Sequence, residues 1–287
     1  MAKGISLHIG VNRVDPAHYG SDEALAFCEA DAQSMLEIAT EQGFDPVTLL
    51  LSADATCEAV SEGIRKAARD LVSGDIFFLS YAGHGGQVRD VNKDERRGED
   101  GKFVKGDNLD ETWCLFDRQQ IDDELAMLWT EFQPGVRILV LSDSCHSGTA
   151  TRGHRDHSLT TDENIEKFGQ PDPVHRALTR KRCNEIYMRE HNLYDEIQVN
   201  IPKVLPRSDA CILLLSGCQD KQLSGETMGH GLFTQGVLDA WGGGNFSGDY
   251  SQLRTEILLE MPDDQSPNMA IIGTKNKAFI REKPFTI

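Results

Sequence analysis

The seven cysteines, at positions 28, 57, 114, 145, 183, 211 and 218, include no C-x-x-C pair and no paired knuckle spacing. An odd count without such spacing argues against a disulfide framework and against structural zinc. Most of these thiols therefore read as small buried hydrophobes in a reducing compartment. Long apolar runs are missing as well. The opening MAKGISLHIGVN carries one Lys and a short apolar run, with no small-residue cleavage site and too little length for a signal peptide or span. With no span elsewhere, the expectation is a cytoplasmic chain with no membrane partner. Basic residues are in deficit, 29 Lys and Arg against 46 Asp and Glu, a net charge of −17. That argues against a nucleic-acid partner and suits a cationic one. There is no G-x-S-x-G elbow for a serine hydrolase, no internal repeat and no low-complexity tract.

What is present is the composition of an ordinary globular protein, 39% apolar and 26% charged. Apolar runs at Ile5 to Val11, Val47 to Leu51, Ile76 to Tyr81, Val136 to Leu141, Ala210 to Leu215 and Met269 to Ile272 read as strands. Helical patterns lie between them, at Ala24 to Gln42, Cys57 to Leu71, Gly231 to Trp241 and Ser251 to Leu259. Runs buried on both faces and alternating with helices predict one doubly wound α/β domain over residues 1–287, with a mostly parallel sheet. Two stretches break the rhythm. Residues 87–124 read as a charged, Gly-rich loop with a hairpin strand at Glu111 to Phe116. Residues 149–207 read as a long insert with one helix near Val174 to Glu190. Residues 146–207 hold ten Lys/Arg against nine Asp/Glu, so a nearly neutral, Arg-studded insert sits in an acidic body.

The chemistry concentrates at two strand ends. IFFLSYA leads into Gly83-His84-Gly85-Gly86, and RILVLSD leads into Ser144-Cys145-His146. If the two strands are parallel neighbours, His84 and Cys145 share the carboxyl edge of the sheet, where open α/β folds place their sites. A cysteine is a nucleophile as its thiolate, and an imidazole nearby can supply that state. His146 competes for the role of base, but adjacent side chains in an extended turn point apart. The backbone N–H groups of Gly85 and Cys145 are the natural donors for an oxyanion. Asp143 projects from the same edge. Asp31, amid Phe27, Cys28, Met35 and Leu36, is a carboxylate near an apolar face, which is costly unless paired or awaiting a cation.

YAGHGG at 81–86 together with DSCHSG at 143–148 resembles the caspase-like cysteine peptidases, specifically the metacaspases and orthocaspases. CEADA at 28–32, LDETWCLFD at 109–117, IDDEL at 121–125, SGCQDKQLSGE at 216–226 and GLFTQGVL at 231–238 extend the likeness over most of the chain outside the insert. The Q-A-C-x-G signature of true caspases is absent. The resemblance implies a caspase-like three-layer α/β fold and a catalytic dyad of His84 and Cys145. It also implies an S1 pocket of Asp31 and Asp143, with Cys28 beside them, for a protein or peptide substrate with Arg or Lys at the cleaved position. The family's Ser two residues before the histidine is Ala82 here.

The same resemblance implies a calcium site at Asp110, Asp122 and Asp123, whose hard oxygens suit that ion, although the further Asp expected seven residues past the cysteine is Arg152. No organic cofactor is expected. Asp90-x-Asn92-x-Asp94 has Glu95 where an EF-hand loop requires Gly, and His154-x-x-His157 reads as loop surface. An enzyme that accepts Arg and Lys, carrying an exposed insert rich in both, is expected to cut itself there, around Thr179-Arg180-Lys181-Arg182. The competing expectation is an ordered lid whose basic residues pair with the acidic body. The alternatives for the whole chain are a catalytically silent scaffold on the same fold and, more remotely, a receiver domain with Asp143 as phospho-acceptor.

Overall fold

A computed structural model describes residues 2–92, 108–144, 176–217, 229–261 and 265–287. In chain order the elements are β1 (Gly4–Gly10), α1 (Pro16–Tyr19), α2 (Cys28–Glu41), β2 (Val47–Leu51), α3 (Cys57–Asp70), β3 (Ile76–Ala82), β4 (Gly85–Arg89), β5 (Leu109–Cys114), β6 (Gln119–Ile121) and α4 (Asp122–Trp129). There follow β7 (Arg137–Asp143), α5 (Arg180–Asn200), β8 (Cys211–Ser216), α6 (Leu232–Trp241), α7 (Tyr250–Glu260), β9 (Asn268–Gly273) and α8 (Lys277–Ile280).

Six strands form one sheet in the order β2-β1-β3-β7-β8-β9, parallel except for the antiparallel edge strand β9. The period-two alternation of each apolar run sorts its residues between two cores. Phe77, Leu79, Ile138, Val140, Ile212 and Leu214 face a layer built by α3, α4 and α5. Their neighbours Ile76, Phe78, Leu139, Leu141, Leu213 and Leu215 face α2, α6 and α7. Covering both faces is what lets β3, β7 and β8 be apolar throughout, and each fully buried Leu, Ile or Phe contributes about 1.5–3 kcal/mol. A buried exception is His8, whose Nδ1 lies 2.8 Å from Ser80 Oγ and whose pKa is pushed down to about 3 by burial. It is a neutral core histidine.

Two stretches are more ordered than their composition suggests. Within 87–124, β4, β5 and β6 form a small antiparallel sheet, and α4 follows directly; residues 93–107 lie outside the described residues. In the insert the helix starts at Arg180 rather than Val174 and, after a break at Glu190 (φ −111°, ψ 17°), where the expected helix ends, continues to Asn200. Its start is set by Thr179, whose side chain accepts from the Arg182 N–H at 3.2 Å as an N-cap. Its end is set by the Ile201-Pro202 step, since Pro cannot donate into the helix.

The strand order reverses between β1 and β3: the chain crosses to β2 on one side and returns to β3 on the other. That switch point, extended along the carboxyl ends of β3 and β7, is where such a sheet opens a crevice. β3 and β7 pair in parallel with Ala82 opposite Asp143. The N-terminal turn of α2 is drawn against the end of β1 because Gly10 has no side chain; a Cβ there would meet the Cys28 carbonyl oxygen. Asp31 is thereby brought to the same edge.

Candidate active site

His84 follows β3 and is held by its backbone. Its carbonyl accepts from the Tyr81 hydroxyl at 2.7 Å and from the Cys114 N–H at 3.0 Å, and the Tyr81 ring stacks on Trp113 at 4.6 Å. The ring is oriented by a further bond, Nε2 to the Glu23 carbonyl at 2.9 Å. A carbonyl can only accept, so Nε2 carries the proton in the neutral ring and Nδ1 carries the lone pair. Glu23 has φ of 40°, in the left-handed region, and its side chain accepts from Arg182 Nε at 2.6 Å and from the Ser21 hydroxyl. Burial raises the pKa of this carboxyl, but Ser21 and Arg182 outweigh it and the net shift is downward.

Asp31 and Asp143, from α2 and the end of β7, are 1% and 2% exposed. Between them lies the guanidinium of Arg176, fully buried. Arg176 Nη2 donates to Asp31 Oδ2 at 2.6 Å, and Nη1 lies 3.1 Å from Asp143 Oδ2. Burial opposes the arginine's charge, yet Asp143, Cys28 and Asp31 reverse the balance and hold it firmly protonated. The start of α6 completes the enclosure. Gly231 N–H donates to both Asp31 oxygens at 3.2 Å, and His230 Nδ1 lies 2.8 Å from Asp31 Oδ1. Thr234 donates to Asp143 Oδ2 from its N–H at 2.9 Å and its hydroxyl at 2.8 Å. A Cβ on Gly231 would strike Asp143 and the Arg176 guanidinium, so glycine is required for that approach.

The backbone of the same arginine is equally fixed. Gly85 N–H donates to the Arg176 carbonyl at 3.0 Å, and the Leu178 N–H donates to the Gly85 carbonyl at 2.9 Å. Residues 176–178 thus lie as an extended segment parallel to the start of β4, with Ala177 paired to Gly85.

The caspase domain model matches residues 3–278. The chain belongs to the caspase domain family. Among curated proteins it is similar to metacaspase-1 of Schizosaccharomyces pombe, 26% identical over 259 residues that make up 81% of this chain and 57% of that one. It is also similar to metacaspase-1 of Candida glabrata, 28% identical over 247 residues, 79% of this chain and 60% of that one. The chain therefore spans less than two thirds of these relatives' length. Among solved structures, protein GSU0716 of Geobacter sulfurreducens shares 43% identity with a TM-score of 0.82, covering 99% of both chains. Caspase-1 of Spodoptera frugiperda shares the fold at 14% identity and a TM-score of 0.51, covering 94% of this chain and 86% of that one.

Of the residues singled out in this caspase domain, His84, Gly85, Asp31, Asp143 and Cys28 gather at one edge of the sheet. Cys28, fully buried, packs with Leu25 and Ala82 in a small apolar cluster, so an alanine at 82 fits its surroundings. Cys145, His146, Arg152, His154 and His157 lie outside the described residues. Arg180, Lys181 and Arg182 form the first turn of α5, away from the acidic pair, with Lys181 87% exposed at its side chain and Arg182 on Glu23. The basic residue of the insert that reaches the acidic pair is Arg176, four to six positions upstream of them. Asp110, Asp122 and Asp123 are each fully buried beside the small sheet, Asp123 accepting from Asn92 Nδ2 at 3.1 Å. Among the described residues no cluster of three His, Cys, Asp or Glu side chains that could hold a metal ion is found.

Sequence reasoning counted Arg176 only as one of the insert's many basic residues, and did not find Glu23, His230, Gly231 or Thr234. The resemblance did cover Gly231 and Thr234, within GLFTQGVL, without assigning them a role. Glu23 acts through its carbonyl, and no side-chain pattern could have pointed to it.

Proposed function

We propose that this chain is a cysteine endopeptidase that hydrolyses peptide bonds after Arg or Lys, with Cys145 as nucleophile and His84 as base. The observation that carries the specificity is Arg176 sealed between Asp31 and Asp143. A pocket that already holds one arginine by two carboxylates suits the arginine or lysine of a substrate. A neutral residue there would leave two buried charges without a cation, a mismatch of about 3–5 kcal/mol, whereas charge-assisted bonds to a guanidinium are among the strongest available.

In this reading the His84 Nδ1 lone pair takes the thiol proton of Cys145, and the thiolate attacks the carbonyl carbon of the basic residue. The negative charge that develops on the carbonyl oxygen is met by the Gly85 N–H, which now bonds the Arg176 carbonyl, and by the N–H of Cys145. The proton held on His84 passes to the departing amine, and water then resolves the thioester. Glu23 keeps the ring in the tautomer that leaves Nδ1 as base. The metacaspase relatives support the reaction class, and the geometry at Arg176 supports the substrate class.

Two finer parts belong to the same reading. The chain cuts itself after Arg176, whose bond to Ala177 is presented as a substrate's would be. Calcium stimulation is retained as a measurable question at Asp110, Asp122 and Asp123, with no step of the mechanism passing through the ion. The experiment that tests the reading is a positional-scanning peptide assay on wild type and Cys145→Ala. Turnover confined to Arg and Lys and lost in the variant supports it, and a preference for acidic or apolar residues overturns it.

A further inference from the structure

The bond after Arg176 is held from both sides. Upstream, the guanidinium is fully buried on two carboxylates and the carbonyl is on Gly85. Downstream, Leu178 is 4% exposed and bonded to the Gly85 carbonyl, and Thr179 caps α5 at once. That helix is built into the body. Ile186 and Tyr194 are fully buried in the core shared with the sheet, and the Tyr194 hydroxyl lies 2.7 Å from His18 Nε2. Gln198 accepts from the Val91 N–H at 2.6 Å and donates to the Arg89 carbonyl at 2.7 Å. Only Ala177 separates the two anchored residues.

An ordinary substrate's leaving amine diffuses off once the acyl-enzyme forms, and water has no rival. Here the amine of Ala177 is tethered one residue from Leu178. A nucleophile held in place competes at effective molarities that reach about 10⁵–10⁸ M. The helix that holds it cannot leave without cost to the base, because Arg182 of α5 bonds Glu23, whose carbonyl orients His84. Whenever His84 is aligned, the amine is therefore at hand.

Resting on the peptidase reading above, we propose that the Arg176–Ala177 bond is cut reversibly, so that the chain acts as its own slow inhibitor and the cut alone does not activate it. In the forward step a bond forms between Cys145 Sγ and the Arg176 carbonyl carbon while the bond to the Ala177 nitrogen breaks, and the thiol proton reaches that nitrogen through His84. Water can then add to the carbonyl carbon, leaving an Arg176 carboxylate and returning a proton to sulfur. Each step runs backwards while both ends stay anchored: the carboxylate re-forms the thioester with loss of water, and the Ala177 amine displaces sulfur, returning its proton by way of His84. Peptide turnover on added substrate requires Arg176 to leave the pocket, not merely to be severed from Ala177.

The test is oxygen exchange in the full chain. Wild type and Cys145→Ala are incubated in water enriched in heavy oxygen, the intact chain is isolated, and the peptide carrying Arg176 is released with a glutamyl protease for mass spectrometry. The expected result is one heavy oxygen at the Arg176 carbonyl of the intact wild-type chain and none in Cys145→Ala. Cut chain that accumulates steadily while the intact chain sampled part-way carries no heavy oxygen would overturn the proposal. So would an unlabelled wild-type chain whose Arg176→Ala variant, with the pocket vacated, cleaves added arginyl peptides about tenfold faster than wild type, as release of a resident occupant requires. Arg176→Gln serves if the alanine variant does not fold. A folded variant that cleaves no basic peptide would instead sink the peptidase reading, and the inference with it.

Discussion

Arg176 Nη2 lies 2.6 Å from Asp31 Oδ2, a bond between side chains 145 positions apart and both almost wholly buried. The pair joins the first helix of the sheet edge to a segment upstream of α5. It makes the acidic pocket and its occupant parts of one chain, and the expectations below turn on it.

Asp143→Asn, made in the Arg176→Ala chain so that no resident arginine competes, keeps a group for Thr234 to bond but removes the charge opposite the substrate's guanidinium. A hydrogen bond to a charged group contributes about 1.5–3 kcal/mol, so kcat/KM for arginyl peptides should fall by about ten- to a hundredfold. Hydrolysis of a neutral-residue peptide, if any is detectable, should change far less. Steady-state kinetics on the two peptides in parallel check this, and an equal loss on both would assign Asp143 a general structural role.

His230 gives the pocket a pH dependence. Its hydrogen bond to Asp31 raises its pKa above 6.5, with burial and Arg176 acting against and the charges of Asp31 and Asp143 acting with that bond. A folded-state value above the unfolded one means that protonation favours the folded form. The stabilisation is fully present below about pH 6.5 and is lost as pH rises through the raised value. Wild type should exceed His230→Gln in Tm on the acid side, with the gap closing as pH rises. A gap that widens with pH would reverse the assignment.

Arg182→Ala should lower kcat by a few-fold with little change in KM for added peptide, since Arg182 holds Glu23 and the Glu23 carbonyl holds His84. Both side chains of that pair are about one-fifth exposed, so the loss of stability should be modest, about 0–1 kcal/mol in urea unfolding. Arg182→Lys should restore part of kcat. Loss of KM instead of kcat would place Arg182 in substrate contact.

Much of this was legible in the sequence. Each apolar run became a strand because its alternation fed two cores, and GHGG and Asp143-Ser144 fell at parallel strand ends, as their abrupt change of composition suggested. Asp31 was readable as an acid stranded on an apolar helix face. Arg176 was not, because it is one of many arginines in its insert and its partners stand 33 and 145 positions away. The helix start was misread by several residues, although Thr179 carried the local signal for it; the expected end at Glu190 fell on the break in α5, beyond which a further stretch runs to Asn200. Glu23 was invisible in principle, since any residue supplies a carbonyl.

Chelator and calcium titrations decide whether the buried acids Asp110, Asp122 and Asp123 bear on activity. A mechanism with no step through the ion predicts that peptide turnover by Arg176→Ala persists in excess chelator. Loss of turnover on chelation, restored by calcium and abolished by Asp123→Ala, would require the ion to be added to the account.

The most direct measurement places the nucleophile and the pocket in one experiment: a peptide library with every residue at the cleaved position, offered to Arg176→Ala with and without Cys145→Ala. The account predicts cleavage after Arg and Lys alone in the single variant and none in the double. Cleavage after other residues, or turnover that survives the loss of Cys145, would contradict it.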